Sequence, residues 1–199
     1  MMRVAVIDAG GANLGSVCYA LERLGIAPRI ARDAADLDGA ERVILPGVGA
    51  AAPAMACLHA QGLVQPLRSL QAPLLGICLG MQLLYAASEE GEVECLGLLP
   101  GKVVRMHAEA GARVPHMGWN TLADVRKVPL LTGVESGNTA YFVHGYAVPV
   151  GPETVATAIH GQAFSAVVQR GRYQGAQFHP ERSAQVGARL LRNFIEAAA

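Results

Sequence analysis

Short apolar runs without polar alternation recur through the first half of this 199-residue chain, each followed by a turn and a stretch of helical period. Val4-Ala-Val-Ile7, Arg42-Val-Ile-Leu45 and Leu74-Leu-Gly-Ile77 are such runs, and Arg29-Ile-Ala31 is a shorter one. A strand that is apolar on both faces must be covered on both faces, which is the pattern of a parallel sheet between helices. The helical stretches fit. Leu14, Val17, Cys18, Leu21 and Leu24 fall on one stripe that Gly25 ends. An Ala-rich segment from Pro53 to Leu70 predicts helix interrupted by Gly62 and Pro66, and another helix is expected from Met81 to Ala87. The fold class expected is α/β, with a mostly parallel central sheet flanked by helices.

The second half changes character. Strand-like runs cover Val103-Val104, Thr139 to Val148, Thr154 to Ile159, Phe164 to Gln169 and Arg172 to Phe178. Turns at Gly161-Gln and Arg170-Gly separate the last three, which predicts an antiparallel meander extending the sheet. A closing helix is expected from Ala184 to Ala197, with Val186, Leu190, Leu191, Phe194 and Ile195 facing inward. No composition break or repeat divides the chain, so residues 1–199 are read as one domain.

Composition excludes several functions. Hydrophobic residues make up 52% and charged residues 16%, enough for a sizeable core. Sixteen basic and sixteen acidic residues balance, without the basic excess of a nucleic-acid binder. No apolar run reaches the ~18 residues of a membrane span, and no leader is evident, so a cytoplasmic protein is expected. Cys18, Cys57, Cys78 and Cys95 form no C-x-x-C pair, and the six histidines show no H-x-x-x-H spacing. Neither a disulfide framework nor a metal site is expected.

The sharpest local signal is Leu75-Gly-Ile-Cys-Leu-Gly-Met-Gln82, where an apolar strand runs through Gly76-x-Cys78-x-Gly80 into a helix. This is the nucleophile-elbow pattern with cysteine in place of serine. Glycines permit the tight turn and close packing, and a thiolate is favoured at a helix N-terminus. Cys18, Cys57 and Cys95 lack such a context and read as structural. A thiolate needs a base that returns the proton to the leaving group. Gln177-Phe-His179-Pro-Glu181 offers one: in extended chain His179 and Glu181 share a face, and the carboxylate can orient the imidazole. Pro46-Gly47-Val48-Gly49 follows the third strand and can aim backbone N–H groups at the same sheet edge. With the N–H of Leu79 it forms a candidate oxyanion hole.

A competing reading starts from the turn Asp8-Ala-Gly-Gly-Ala-Asn-Leu-Gly15, where a dinucleotide-binding module keeps its pyrophosphate. The fingerprint is incomplete: Ala12 stands where the second glycine belongs, and no acidic residue ends the second strand.

Taken together, the cysteine and histidine motifs resemble those of the class I (triad) glutamine amidotransferases. Pro46-Gly-Val-Gly49, Val114-Pro-His-Met-Gly-Trp-Asn120 and Tyr141-Phe-Val-His-Gly-Tyr146 are similar to blocks in one subfamily, the glutaminase subunits of imidazole glycerol phosphate synthase. The resemblance implies a flavodoxin-like fold and a reaction in which Cys78 forms a glutamyl thioester and releases ammonia. His179 would serve as base and then acid, and Glu181 would orient it. Gly49, Gln82, His144, Gly145 and Tyr146 match positions around the family's glutamine pocket. No cofactor is implied.

The implied partner is a (β/α)₈-barrel cyclase, forming a heterodimer that makes imidazole glycerol phosphate and an aminoimidazole carboxamide ribotide in histidine biosynthesis. Asn13, Trp119 and Arg182 each follow a strand or catalytic motif, and the resemblance places the cyclase contact there. Other readings are a glutaminase subunit of pyridoxal phosphate synthesis and a free-standing γ-glutamyl cysteine hydrolase. The chain departs from the subfamily at Ala51, usually aromatic, at Gly145, usually Ser or Thr, and at Arg182, usually Lys.

Overall fold

The computed structural model describes residues 2–197. The first half runs β1 (Val4–Ile7), α1 (Leu14–Glu22), β2 (Arg29–Ala31), β3 (Arg42–Gly47), α2 (Ala51–Ala60), α3 (Val64–Arg68), β4 (Leu74–Cys78) and α4 (Leu79–Leu83). Then follow β5 (Ala87–Ser88), β6 (Val93–Glu94), β7 (Lys102–Arg105), β8 (His116–Thr121), β9 (Thr139–His144) and β10 (Tyr146–Ala147). The chain closes with β11 (Thr154–His160), β12 (Gln162–Arg170), β13 (Tyr173–Ala176) and α5 (Ala184–Glu196).

The expected sheet is present. Its order is β11-β12-β13-β4-β3-β1-β2, and β13, β4, β3, β1 and β2 run parallel. The meander β11-β12-β13 is antiparallel and joins the central sheet through β13, which lies beside β4. Residues after β3, β4 and β13 therefore emerge side by side at one carboxyl edge, where α/β sheets bind ligands.

The apolar runs divide between two cores. Along β1, Val4 and Val6 pack on the face covered by α1 and α5, with Leu21, Phe142, Phe178, Leu190 and Phe194. Ala5 and Ile7 point the other way, toward Leu45, Met55, Leu58 and Leu67. Each fully buried aliphatic side chain contributes about 1.5–3 kcal/mol relative to exposure.

The Ala-rich segment does break at Gly62 (φ +67°), as expected, leaving α2 and α3. Three expectations are corrected. Pro66 interrupts nothing, because it sits in the first turn of α3, where a missing N–H leaves no bond unmade. The helix expected over Met81–Ala87 instead spans Leu79–Leu83. The chain then turns away because Ala86 N–H bonds the Gly101 carbonyl and Ala87-Ser88 pairs with β7. The Thr139–Val148 run breaks at Gly145: β9 pairs with β8, whereas β10 pairs with β7. Strand β8 was not expected, since His116-Met-Gly-Trp-Asn-Thr121 lacks an apolar alternation. The expected inward residues of α5 are buried except Val186, which is partly buried, and Gly187 is buried with them.

Candidate active site

Cys78 is the last residue of β4 and immediately precedes α4, with φ +53° and ψ −111°. A non-glycine residue at positive φ is strained and is found at sites that hold a side chain in an uncommon direction. The two flanking glycines provide the close packing expected of them. A Cβ on Gly80 would lie 1.7 Å from the Leu45 carbonyl oxygen, and one on Gly76 would lie 2.5 Å from the Gly80 oxygen. They let α4 rest directly on β3 and β4, and the cysteine itself takes the strained dihedral. Because α4 has only five residues, it aligns few peptide dipoles toward the thiol.

His179 follows β13, hydrogen-bonded to Glu181 and lining the same cavity as Cys78. Its Nδ1 is 2.8 Å from Glu181 Oε1, and both side chains are buried. Burial disfavours the imidazolium, but hydrogen bonding and charge from Cys78 and Glu181 outweigh it and push the pKa up to about 10. The segment is clamped from both sides. His179 N–H donates to the Tyr141 carbonyl at 2.9 Å, and Ser183 Oγ donates to the His179 carbonyl at 2.7 Å while accepting from Tyr141 N–H at 2.9 Å. Helix α5 presses on this segment, and a Cβ on Gly187 would lie 1.9 Å from the Pro180 carbonyl oxygen. Ser183 and Gly187 were not foreseen, because their partners lie far along the chain or depend on helix placement.

A cavity of about 240 Å³ opens between these elements, of a size for a free amino acid. Cys78, Leu79 and His179 line it with Val48 and Gly49. Gln82, His144, Gly145 and Tyr146 complete the set of expected pocket residues. Gly47 does not reach the cavity: it pairs with Cys78 in the sheet, and a Cβ there would lie 3.0 Å from Gly80 N. Its place is packing against α4, which corrects its assignment to the oxyanion turn. Gly49 has φ +92°, a conformation that favours glycine. Glu90, which no motif flagged, is the one carboxylate among the described residues that lines the cavity. It accepts from Ala51 N–H at 2.9 Å, capping α2, and burial raises its pKa against that bond.

On the β9 side, His144 is buried in a chain of hydrogen bonds whose directions are fixed. Its Nδ1 is 2.8 Å from the Tyr146 carbonyl, which can only accept, so Nδ1 carries the proton. Nε2 of His144 then accepts from Nδ1 of His116 at 3.0 Å, and Nε2 of His116 accepts from the Asn120 amide at 3.3 Å. Burial lowers the His144 pKa to about 3, and burial with the nearby His160 lowers that of His116 to about 4. Although three histidines meet here, no group of metal-ligating residues occurs among the described residues.

The expected contact residues converge, with one difference. Trp119 is 54% exposed and meets Tyr141 edge-on, with ring centroids 6.0 Å apart, and the Arg182 guanidinium lies 4.4 Å from the Tyr141 ring centroid. Asn13 instead directs its amide to Glu181 Oε1 at 3.3 Å, so it supports the triad. In the glycine-rich first turn, Gly10 N–H is taken by Asp8 Oδ1 and Asp8 pairs with Arg32. A carboxylate there repels a pyrophosphate, which removes the basis for the dinucleotide reading.

An elbow cysteine, a buried His–Glu pair and an amino-acid-sized cavity at the carboxyl edge of a parallel sheet define a triad amidotransferase, and the chain belongs to that family. The family model for class-I glutamine amidotransferases matches residues 5–198. The chain is 66% identical over 196 residues to the imidazole glycerol phosphate synthase subunit HisH of Xanthomonas axonopodis pv. citri (strain 306), covering 98% of both. The protein of the same name from Xylella fastidiosa (strain Temecula1) is 63% identical, again with 98% of both covered. A solved structure described as a glutamine amidotransferase superposes with a TM-score of 0.75 at 23% identity, covering 97% of each chain. PurLQS from Thermotoga maritima gives 0.70 at 21%, covering 97% of each. These two likenesses bear on the fold alone and agree with the expected α/β architecture. No helix among the described residues is long and apolar enough to cross a membrane.

Proposed function

We propose that this chain is the glutaminase subunit of an imidazole glycerol phosphate synthase, releasing ammonia from glutamine for a (β/α)₈-barrel cyclase partner. The observation that carries the chemistry is the buried His179–Glu181 pair at 2.8 Å beside the strained Cys78 at one end of an amino-acid-sized cavity. The identity of 66% over nearly the whole chain carries the choice of synthase.

In this reading the Cys78 thiolate attacks the side-chain amide carbon of glutamine. Backbone N–H groups of Val48, Gly49 and Leu79 receive the oxyanion. His179 protonates the departing nitrogen as the C–N bond breaks, leaving a thioester and ammonia. It then takes a proton from water, whose attack releases glutamate and returns the thiolate. Glu181 holds the Nδ1 proton of His179 throughout. Glu90 supplies the negative charge that a substrate α-ammonium requires, and Gln82, His144, Gly145 and Tyr146 shape the rest of the cavity. The exposed Trp119, edge-on to Tyr141, and Arg182, over the face of the same ring, form part of the docking face, since Trp and Arg are frequent interface anchors.

The test pairs the chain with a barrel cyclase of ~250 residues. Co-purification is expected, with acceptor-stimulated glutaminase activity that Cys78→Ala abolishes. Trp119→Ala is expected to weaken binding by about 2 kcal/mol, or roughly thirtyfold, with the isolated subunit still folded. Full activity in Cys78→Ala would overturn the mechanism, and failure to bind any such cyclase would overturn the partner.

A further inference from the structure

We propose that Gln177 is a further catalytic residue, whose side-chain amide donates a hydrogen bond to Cys78 Sγ and stabilises the thiolate, with Gln82 holding the amide in its donating orientation. This rests on Cys78 being the nucleophile of the proposed reaction.

Gln177 is fully buried, two residues before His179, in a segment whose backbone N–H bonds the Ala166 carbonyl. A buried amide needs partners at both ends. The two ends look alike in shape, so their identity must come from the network around them. Here the network leaves one solution. One terminal atom of Gln82 lies 2.8 Å from the Tyr146 carbonyl oxygen, which can only accept, so that atom is the amide nitrogen. The same nitrogen lies 3.0 Å from the near end of the Gln177 amide, which must therefore be the oxygen. The far end of Gln177 is then its NH₂ group, and it lies 3.7 Å from Cys78 Sγ. Reversing Gln177 would set two N–H groups against each other.

A thiol sulfur accepts hydrogen bonds weakly, whereas a thiolate accepts them well, so a fixed donor at this distance favours the ionised nucleophile. The other groups facing the sulfur are accounted for. The Val143 carbonyl, 3.6 Å away, stabilises the thiol form. His179 is the cation beside the sulfur, with Glu181 behind it, while His144 and Glu90 line the same cavity. Helix α4, with five residues, contributes no side-chain cation of its own. The amide thus opposes the Val143 carbonyl without needing a proton, and it acts twice in each turnover. It favours the attacking thiolate, and it favours the thiolate again as leaving group when water breaks the C–S bond of the thioester and a proton passes to His179.

The experiment measures alkylation of Cys78 by iodoacetamide as a function of pH in the full-length chain, read from the mass of the Cys78 peptide. The comparison is wild type against Gln177→Leu and the isosteric Gln177→Glu. Thiolate is the reactive form, so the midpoint of the profile reports its stability. In Gln177→Leu the midpoint should rise by about one pH unit, slowing alkylation about tenfold below it. In Gln177→Glu, which sets a carboxylate against the sulfur, the rise should be larger. Gln82→Leu, which leaves Gln177 in place but frees its orientation, should give a smaller rise. The rate at the alkaline plateau should not change, whereas a purely structural role would alter the plateau and leave the midpoint in place. Midpoints equal to wild type in Gln177→Glu and Gln82→Leu would overturn the proposal. Its failure is separable from failure of the glutaminase reading, which Cys78→Ala tests by activity and not by titration.

Discussion

His179 and His144 line the same cavity, and their surroundings drive them in opposite directions. Both are buried, and burial alone lowers the pKa of each. His179 has the Cys78 sulfur, as thiolate, and the Glu181 carboxylate beside it, and their hydrogen bonding and charge outweigh burial, so it is held as the cation, with a pKa near 10. His144 has no carboxylate against its ring, and burial outweighs the Tyr146 carbonyl, which favours the cation, so the pKa falls to about 3. The lesson is that burial decides the state of a histidine only where no charged partner opposes it: at His179 the partners outweigh burial, and at His144 burial prevails. The cavity consequently has one wall that exchanges protons and another that only orients dipoles.

The most direct way to break this contrast is to remove the proton-exchanging side. We expect His179→Ala to lower glutaminase turnover by about 10⁵–10⁶-fold, and Glu181→Gln by about 10³–10⁴-fold, measured with partner and acceptor present. The carboxylate acts through the imidazole, while the imidazole moves protons itself. A Glu181→Gln variant slower than His179→Ala would reverse the assigned roles.

The second way is through stability as a function of pH. For His179 the folded pKa near 10 lies above the ordinary 6.5, so its contribution is fully present below 6.5 and is lost as pH rises toward 10. For His116 and His144 the folded values, near 4 and 3, lie below 6.5. An unfolded chain binds those protons first, so stability is lost as pH falls from 6.5 toward 4 and below. In urea unfolding, the cost of His179→Ala should shrink on the alkaline side. Replacing His116 with Phe should flatten the acid loss, since Phe removes one of the two groups that must stay neutral. Parallel pH profiles for the two variants would mean that the two sides do not differ in charge.

The sequence carried the sheet and the elbow because both depend on local rules. Apolar runs on both faces of β1, β3 and β4 demand a covered parallel sheet, and Gly76-x-Cys78-x-Gly80 permits a helix to lie against it. His179 and Glu181 were legible because two residues in extended chain share a face. The hydrogen-bonded side was not legible. His116 finds His144 only once β8 pairs with β9, and Gln177 finds Gln82 only across two strands and a helix. Nothing in spacing or composition announces such pairs, since Glu90 and Ser183 are ordinary polar residues until their distant partners arrive. Asn13 was legible only in part: its place after a strand put it at the sheet edge, and its amide bond to the triad carboxylate depends on a partner 168 residues away.

The smallest effect is expected at Gly145, which joins the two acceptor-bearing residues of the neutral wall. The subfamily usually carries Ser or Thr there, and glycine's freedom is not required: its φ is not positive, and a Cβ would meet only Val114 Cγ1 at an ordinary 3.8 Å. Filling that position mainly restricts the unfolded chain, which is worth about 0.4–1 kcal/mol in favour of folding. Gly145→Ser should therefore raise the melting temperature by about 1–4 °C, with glutaminase activity within about threefold of wild type. The Met106 N–H that bonds the Gly145 carbonyl at 3.0 Å stays satisfied, because only the side chain changes. If the variant lost stability instead, the break between β9 and β10 would depend on glycine, and the His144–Tyr146 bond would be held by backbone geometry more than by the histidine chain.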